Sequence, residues 1–237
     1  MDMKKRKLQA IGPICPSRDD MIKIDRDLGF LKESYEMEFL DPLMDIPLNV
    51  NVNSFYKTWT KKLKNSHVNY QGFLGFSLGG VILQKCIGML RERDMPVVLF
   101  STPSFVNNSL KDQLGNIMKK LENHEVESAV RELNKRVYYP NNPPKLNISK
   151  YNKNEVNHRL QEGFKLILND QMKDSVNEEE VEYLHLVGEE SVLVNSENVL
   201  QTGKGKVEYV PCAGMRVLRD NKDYCRKIIM EYLSNYE

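Results

Sequence analysis

One serine in this chain stands in a setting where serine chemistry is possible. Ser77 lies in the run Gly75-Phe76-Ser77-Leu78-Gly79-Gly80, a G-x-S-x-G pattern with a second glycine behind it. The apolar residues Phe73, Leu74 and Phe76 precede or enter the turn. Val81, Ile82, Leu83, Cys86, Ile87, Met89 and Leu90 follow it, apolar on nearly all sides. That is a buried strand, a sharp turn and a buried helix. At such a turn the serine is held in a strained backbone conformation, and the flanking glycines occupy places with no room for a side chain. The hydroxyl is lifted over the sheet edge with a helix N-terminus behind it. The Leu78 N–H then points to where an oxyanion would form. The chemistry so positioned is nucleophilic attack on an acyl carbon. The same glycines would also serve a purely structural turn in another doubly wound sheet.

The other reactive residues are scattered. His67, His124, His158 and His185 are dispersed, and Cys15, Cys86, Cys212 and Cys225 show no metal-like spacing. No metal site and no cofactor are expected. The cysteines read as reduced thiols of a cytoplasmic protein. The 34 basic and 33 acidic residues leave a net charge of +1, so no global field favours nucleic acid or a membrane surface. The basic run Lys4-Lys5-Arg6-Lys7 reads as a solvated N-terminal tail. No apolar run approaches the roughly 18 residues of a membrane span. The N-terminus lacks the apolar stretch of a secretory signal.

The elements that must position Ser77 follow from periodicity. Strands are expected at Leu8–Ile14, Tyr35–Leu40, around Phe73–Phe76, at Pro96–Ser101, at Val181–Val187 after Glu178-Glu179-Glu180, and at Lys206–Val210. Helical spacing marks Asp19–Leu31, Asn51–Leu63, Leu110–Val137, Glu155–Leu168 and Asn221–Leu233. Alternation of strand and helix implies an α/β fold with a doubly wound, mostly parallel sheet and right-handed crossovers. The stretch 104–175 is too long for a loop and reads as a helical cap inserted between two strands of a single domain spanning 1–237.

With these elements in place the chain resembles the α/β-hydrolase superfamily, over nearly its whole length apart from the cap and without the first antiparallel strands. The short N-terminus, EFLDP at Glu38–Pro42 and YLHLVGEES at Tyr183–Ser191 resemble the small fungal-type serine hydrolases. GFSLGG is equally at home in thioesterases and lipase-like members. The resemblance implies a triad of serine, acid and histidine, with the acid in a G-x-x-D pattern and the histidine in P-x-x-G-H. Here Gly188 is followed at the third place by Ser191, and Pro211-Cys212-Ala213-Gly214 is followed by Met215. Both positions are vacated, and no histidine lies beyond His185. The resemblance also assigns the second oxyanion donor to the loop after the first strand. There Pro13 has no N–H, which leaves Ile14.

A thioether cannot take the serine proton. Substitute groups are Glu190 acting directly as base, His185, His158 from the cap, or Cys212. Arg216 is a candidate anchor for an anionic ligand. The expectation is a degenerate hydrolase that binds a small-molecule acyl ligand or a protein partner. The alternative is a working ester or thioester hydrolase, or acyltransferase, with an unusual base. Ser77 is expected at the floor of a pocket beneath the cap.

Overall fold

The computed structural model describes residues 5–66, 69–86, 90, 95–169, 182–201 and 203–236. Of the residues singled out above, Lys4, His67, Ile87, Met89, Glu178, Glu179, Glu180 and Val181 lie outside these, as do positions 170–175 of the expected insertion. Strands β1 (Arg6–Ile11), β2 (Tyr35–Leu40), β3 (Gly72–Phe76), β4 (Val97–Phe100), β5 (Leu184–Gly188) and β6 (Lys206–Val210) form one sheet. Its order is β2-β1-β3-β4-β5-β6, and all neighbouring pairs are parallel.

Strand alternation divides the apolar runs between two faces. Phe73, Val97, Leu99, Tyr183 and Val187 join one core, together with the helices α2 (Val52–Ser66) and α3 (Leu78–Lys85). Leu74, Phe76, Val98, Phe100, Leu184 and Leu186 join the other. That second core is closed by residues following α1 (Met21–Asp27) and by α8 (Lys222–Ser234), which is preceded by the short α7 (Val217–Asp220). Both faces of the sheet are covered, as a parallel sheet requires.

Between β4 and β5 lie α4 (Asn108–Glu122), α5 (Val126–Tyr138) and α6 (Lys153–Leu168). The apolar stripe of α4, Leu110, Leu114, Ile117 and Leu121, merges with the same core as Phe73 and Leu99. The sequence pattern suggests one helix over 110–137, but two are present. His124 takes the left-handed conformation at φ 60. Its N–H bonds to the Leu121 carbonyl (3.0 Å), and the Glu125 N–H bonds to that of Lys120 (2.8 Å). This is a Schellman C-cap built on histidine rather than the usual glycine, so the sequence shows no stop signal there.

The last inserted helix, α6, fastens the loops at the front of the sheet. The Arg159 guanidinium pairs with the Asp41 carboxylate at 3.0 Å, and both side chains are buried. It also donates to the carbonyls of Cys15 (3.3 Å) and Leu43 (3.4 Å). The buried Glu162 carboxylate accepts from the Val50 N–H (2.9 Å) and from Lys165 (2.7 Å). Removing one partner of a buried pair strands the other charge. Arg159→Met or Asp41→Ala is therefore expected to lower unfolding free energy by about 3–5 kcal/mol, and the double variant Arg159→Met/Asp41→Leu by less than either. Urea unfolding of the three variants checks this. Singles that each cost no more than a surface substitution would contradict it.

Candidate functional site

The chain passes from β1 to β2 on one side and places β3 on the other, so the loops leaving β1 and β3 diverge. In open α/β sheets ligands bind at such a switch point, outside the carboxyl ends of the strands. Ser77 and the loop Gly12-Pro13-Ile14-Cys15 both stand there. Ser77 has φ 48 and ψ −110, a strained conformation for a residue with a side chain. Its surroundings hold it in place. The Ser77 N–H bonds to the Phe100 carbonyl (3.0 Å), the Gly79 N–H to that of Gly12 (3.1 Å), and the Val81 N–H to that of Ser77 (3.0 Å). A Cβ on Gly79 would lie 2.1 Å from the Ile11 carbonyl oxygen, and one on Gly75 would lie 2.6 Å from the Gly80 Cα. The two glycines of the pattern are therefore required by contact between α3 and the strands beside it.

Ser77 itself is half-buried, between the buried Phe76 and Leu78. Among the described residues, the backbone bonds of this turn use the N–H groups of Ser77, Gly79 and Val81 but not that of Leu78. The Ile14 N–H is likewise without a backbone partner there. The Ile14 side chain meets α6 so closely that a Cβ on Gly163 would lie 3.0 Å from it. Two open depressions on the described surface lie away from Ser77. One is lined by Lys5, Asp25, Lys32, Tyr35, Glu36 and Met37, the other by residues of α2 and Lys85, and Ser77 lines neither.

The loops after β5 and β6 bring Ser191 and Met215 together. The Glu189 N–H bonds to the Val210 carbonyl (3.0 Å) and the Glu190 N–H to that of Ala213 (2.9 Å), which ties one loop to the other. The Ser191 Oγ then stands 4.0 Å from the Met215 Sδ. Ser191 is buried and accepts from the Val194 N–H at 3.3 Å. These two positions are 24 residues apart in the chain, and only the pairing of β5 with β6 makes them neighbours.

The two candidate histidines have partners elsewhere. His185 is fully buried on β5, and its Nε2 accepts from the Thr102 N–H at 3.1 Å. Burial pushes its imidazole down to about 3, so it is neutral. One ring nitrogen of His158 bonds to the Ile46 carbonyl at 2.7 Å. Glu190 and Cys212 are exposed. Among the described residues no hydrogen bond joins a histidine to Ser77. Arg216 pairs with Asp220 (3.2 Å) and lies over the Tyr138 ring at 3.6 Å. Asp220 also accepts from the Gly214 N–H (3.1 Å) and the Asn141 amide (3.1 Å). Arg216 therefore holds the loop after β6 to the end of α5. Burial, reinforced by Asp20, pushes the Cys15 thiol up to about 12, so it is no nucleophile near neutral pH. The sequence reading missed the Arg216–Tyr138 and Arg159–Asp41 contacts, since neither pairing leaves a local pattern.

No protein-family model matches the sequence, and no curated protein matches it. Solved structures do match in fold. A 2-hydroxy-6-oxo-6-phenylhexa-2,4-dienoate hydrolase from Rhodococcus sp. strain RHA1 superposes with TM-score 0.74 at 14% identity, over 97% of this chain and 91% of that one. A bromoperoxidase from Bacillus anthracis gives 0.73 at 12% identity, over 98% and 92%. An esterase from Exiguobacterium antarcticum gives 0.69 at 12% identity, over 97% and 92%. The chain has the α/β-hydrolase fold. Among the described residues, no helix is long and apolar enough to cross a membrane.

The neutral His185 has a consequence for stability. An unfolded imidazole takes up a proton near pH 6.5, whereas the folded one refuses it down to about 3. Its contribution is complete above pH 6.5 and is lost as pH falls through that window, at about 1.4 kcal/mol per pH unit. His185→Gln keeps an acceptor for Thr102 and should flatten this part of the acid limb. Urea unfolding at steps between about pH 7 and pH 4 tests it. Equal slopes in the two proteins would contradict neutral burial.

Proposed function

We propose that this chain is an α/β-hydrolase fold without turnover, a pseudo-hydrolase that binds a small-molecule acyl ligand or a protein partner in the crevice at Ser77. One contact carries the reading. Where the resemblance calls for an acid against a histidine, Ser191 stands against Met215, 4.0 Å from oxygen to sulfur. Neither group takes a proton at neutral pH, and a serine hydroxyl is a weak nucleophile without a base. Loss of the histidine from a serine triad costs on the order of 10⁶-fold in kcat. With no imidazole to orient, the acid loses its purpose as well. The helices inserted between β4 and β5 serve in this reading as a cap, with α6 against Ile14 at the mouth of the crevice.

The second reading is an ester or thioester hydrolase, or an acyltransferase, that uses Ser77 with an unusual base. The strained Ser77 backbone and the unclaimed N–H groups of Leu78 and Ile14 favour it, because these are the parts that catalysis would use.

A fluorophosphonate probe separates the two. Little labelling above a Ser77→Ala control is expected, and Ser77-dependent labelling with ester turnover would overturn the binding reading. Reversion provides the complementary test. Ser191→Asp with Met215→His should restore Ser77-dependent cleavage of p-nitrophenyl acetate. The two side chains already face each other across paired loops. Each single change should do less, since a histidine without the acid can take the wrong tautomer. The double variant should exceed the sum of the singles by at least about tenfold, the non-additivity of groups that act as a unit. A folded double variant with no gain over Ser77→Ala would show that more than two side chains separate this crevice from a catalyst.

A further inference from the structure

The open depression between α2 and α3 is about 570 Å³ and is lined by Asn53, Tyr56, Lys57, Thr60, Lys61, Lys64 and Lys85. Among the described lining residues four are lysines and none is acidic. The asymmetry is local, because the whole chain carries 34 basic and 33 acidic residues. Helix α2 reads VNSFYKTWTKKLKNS and α3 reads LGGVILQK, with no aspartate or glutamate in either. Among the described residues, no ion pair takes Lys57, Lys61 or Lys64, and all three are exposed. By contrast, the depression beside β2 is lined by both signs, with Lys32 paired to Asp25 at 2.7 Å.

Such an arrangement opposes the helix that carries it. Lys57 and Lys61 stand at i and i+4, and Lys61 and Lys64 at i and i+3, spacings at which like charges repel. Bringing a multiply charged anion into the groove turns that repulsion into attraction. The chemistry of the lining selects the anion. Arginine reads planar carboxylates through its fork, whereas lysine acts as a point charge suited to phosphate. Every cation among the described lining residues of this groove is a lysine. Lys57 to Lys64 spans about 10 Å along the helix axis, a length comparable with a short phosphate chain. Lys85 closes the far wall from α3, with its ammonium 5.7 Å from the Tyr56 ring centroid. The amide of Asn53 adds a neutral donor at the other end of the groove.

We propose that this groove is a binding site for a small molecule bearing a chain of phosphates. It is separate from the crevice at Ser77: α3 starts beside Ser77, and Lys85 is the last residue of that helix. The site therefore stands whether or not Ser77 is catalytic.

Calorimetric titration of the full chain with sodium tripolyphosphate at low salt tests the proposal. Saturable binding is expected, weakening as salt is raised. Lys57→Gln/Lys61→Gln/Lys64→Gln should lose at least about tenfold in affinity. All three positions are exposed, and the thermal midpoint without ligand reports whether the fold is kept. A second variant, Lys111→Gln/Lys150→Gln/Lys153→Gln, removes the same charge from exposed positions elsewhere and should keep its affinity within about twofold. Absence of saturable binding at low salt would overturn the proposal. So would equal losses in the two triple variants, which would mark a response to net charge alone. A single-stranded oligonucleotide of matched charge that binds more tightly than tripolyphosphate would overturn it in favour of a nucleic-acid surface.

Discussion

The contact that the architecture depends on is the approach of α3 to the loop leaving β1. The Gly79 N–H meets the Gly12 carbonyl at 3.1 Å, and nothing larger than hydrogen fits on the Gly79 Cα, because a Cβ would lie 2.1 Å from the Ile11 oxygen. This approach sets the start of α3 against the end of β1 and bends the chain sharply between β3 and α3. The bend places Ser77 at φ 48, outside the regions that residues with side chains prefer. Strain of this kind costs on the order of 1–3 kcal/mol and persists only where the surroundings over-determine it. Here the Phe100 and Gly12 carbonyls and the first turn of α3 do so. The strain follows from packing, so it would persist whether or not the serine still reacts.

The second organising feature is how the loops at the carboxyl edge are held. Arg159 gathers the carboxylate of Asp41 and the carbonyls of Cys15 and Leu43 onto α6. Arg216 and Asp220 do the same between the loop after β6 and the end of α5. The Arg159 guanidinium satisfies several partners at once from a planar fork, whereas Arg216 pairs with Asp220 and stacks on Tyr138. The loops after β1 and β2 are thereby fixed to α6, and the loop after β6 to the end of α5. Met215, on that last loop, stands 4.0 Å from the Ser191 Oγ, which accepts from the Val194 N–H. Away from this edge, Lys57, Lys61 and Lys64 stand exposed on α2 with no ion pair among the described residues.

What the sequence by itself determined was local. The glycine pattern around Ser77, the apolar strand before it and the apolar helix after it depend on near neighbours, and β2 and β6 fall at Tyr35–Leu40 and Lys206–Val210 as periodicity indicates. The alternation of strand and helix was enough for the α/β class, because a parallel strand needs a crossover. Ser191 and Met215, where the resemblance places an acid and a histidine, could be picked out because both are counted from a glycine. Helix ends were less legible. His124 ends α4 with a positive φ that the sequence pattern assigns to glycine, so two helices read as one. Tertiary structure alone decided the rest. That Ser191 and Met215 touch, that His185 is sealed with its pKa pushed down to about 3, and that Arg159 finds Asp41 across 118 residues all depend on strand order and on which face of the sheet each helix covers. The lysines of α2 were visible as residues of a helix, but the wall that Lys85 adds from α3 was not. Contacts between segments distant in sequence are set by packing the whole chain, and no spacing rule within one segment contains them.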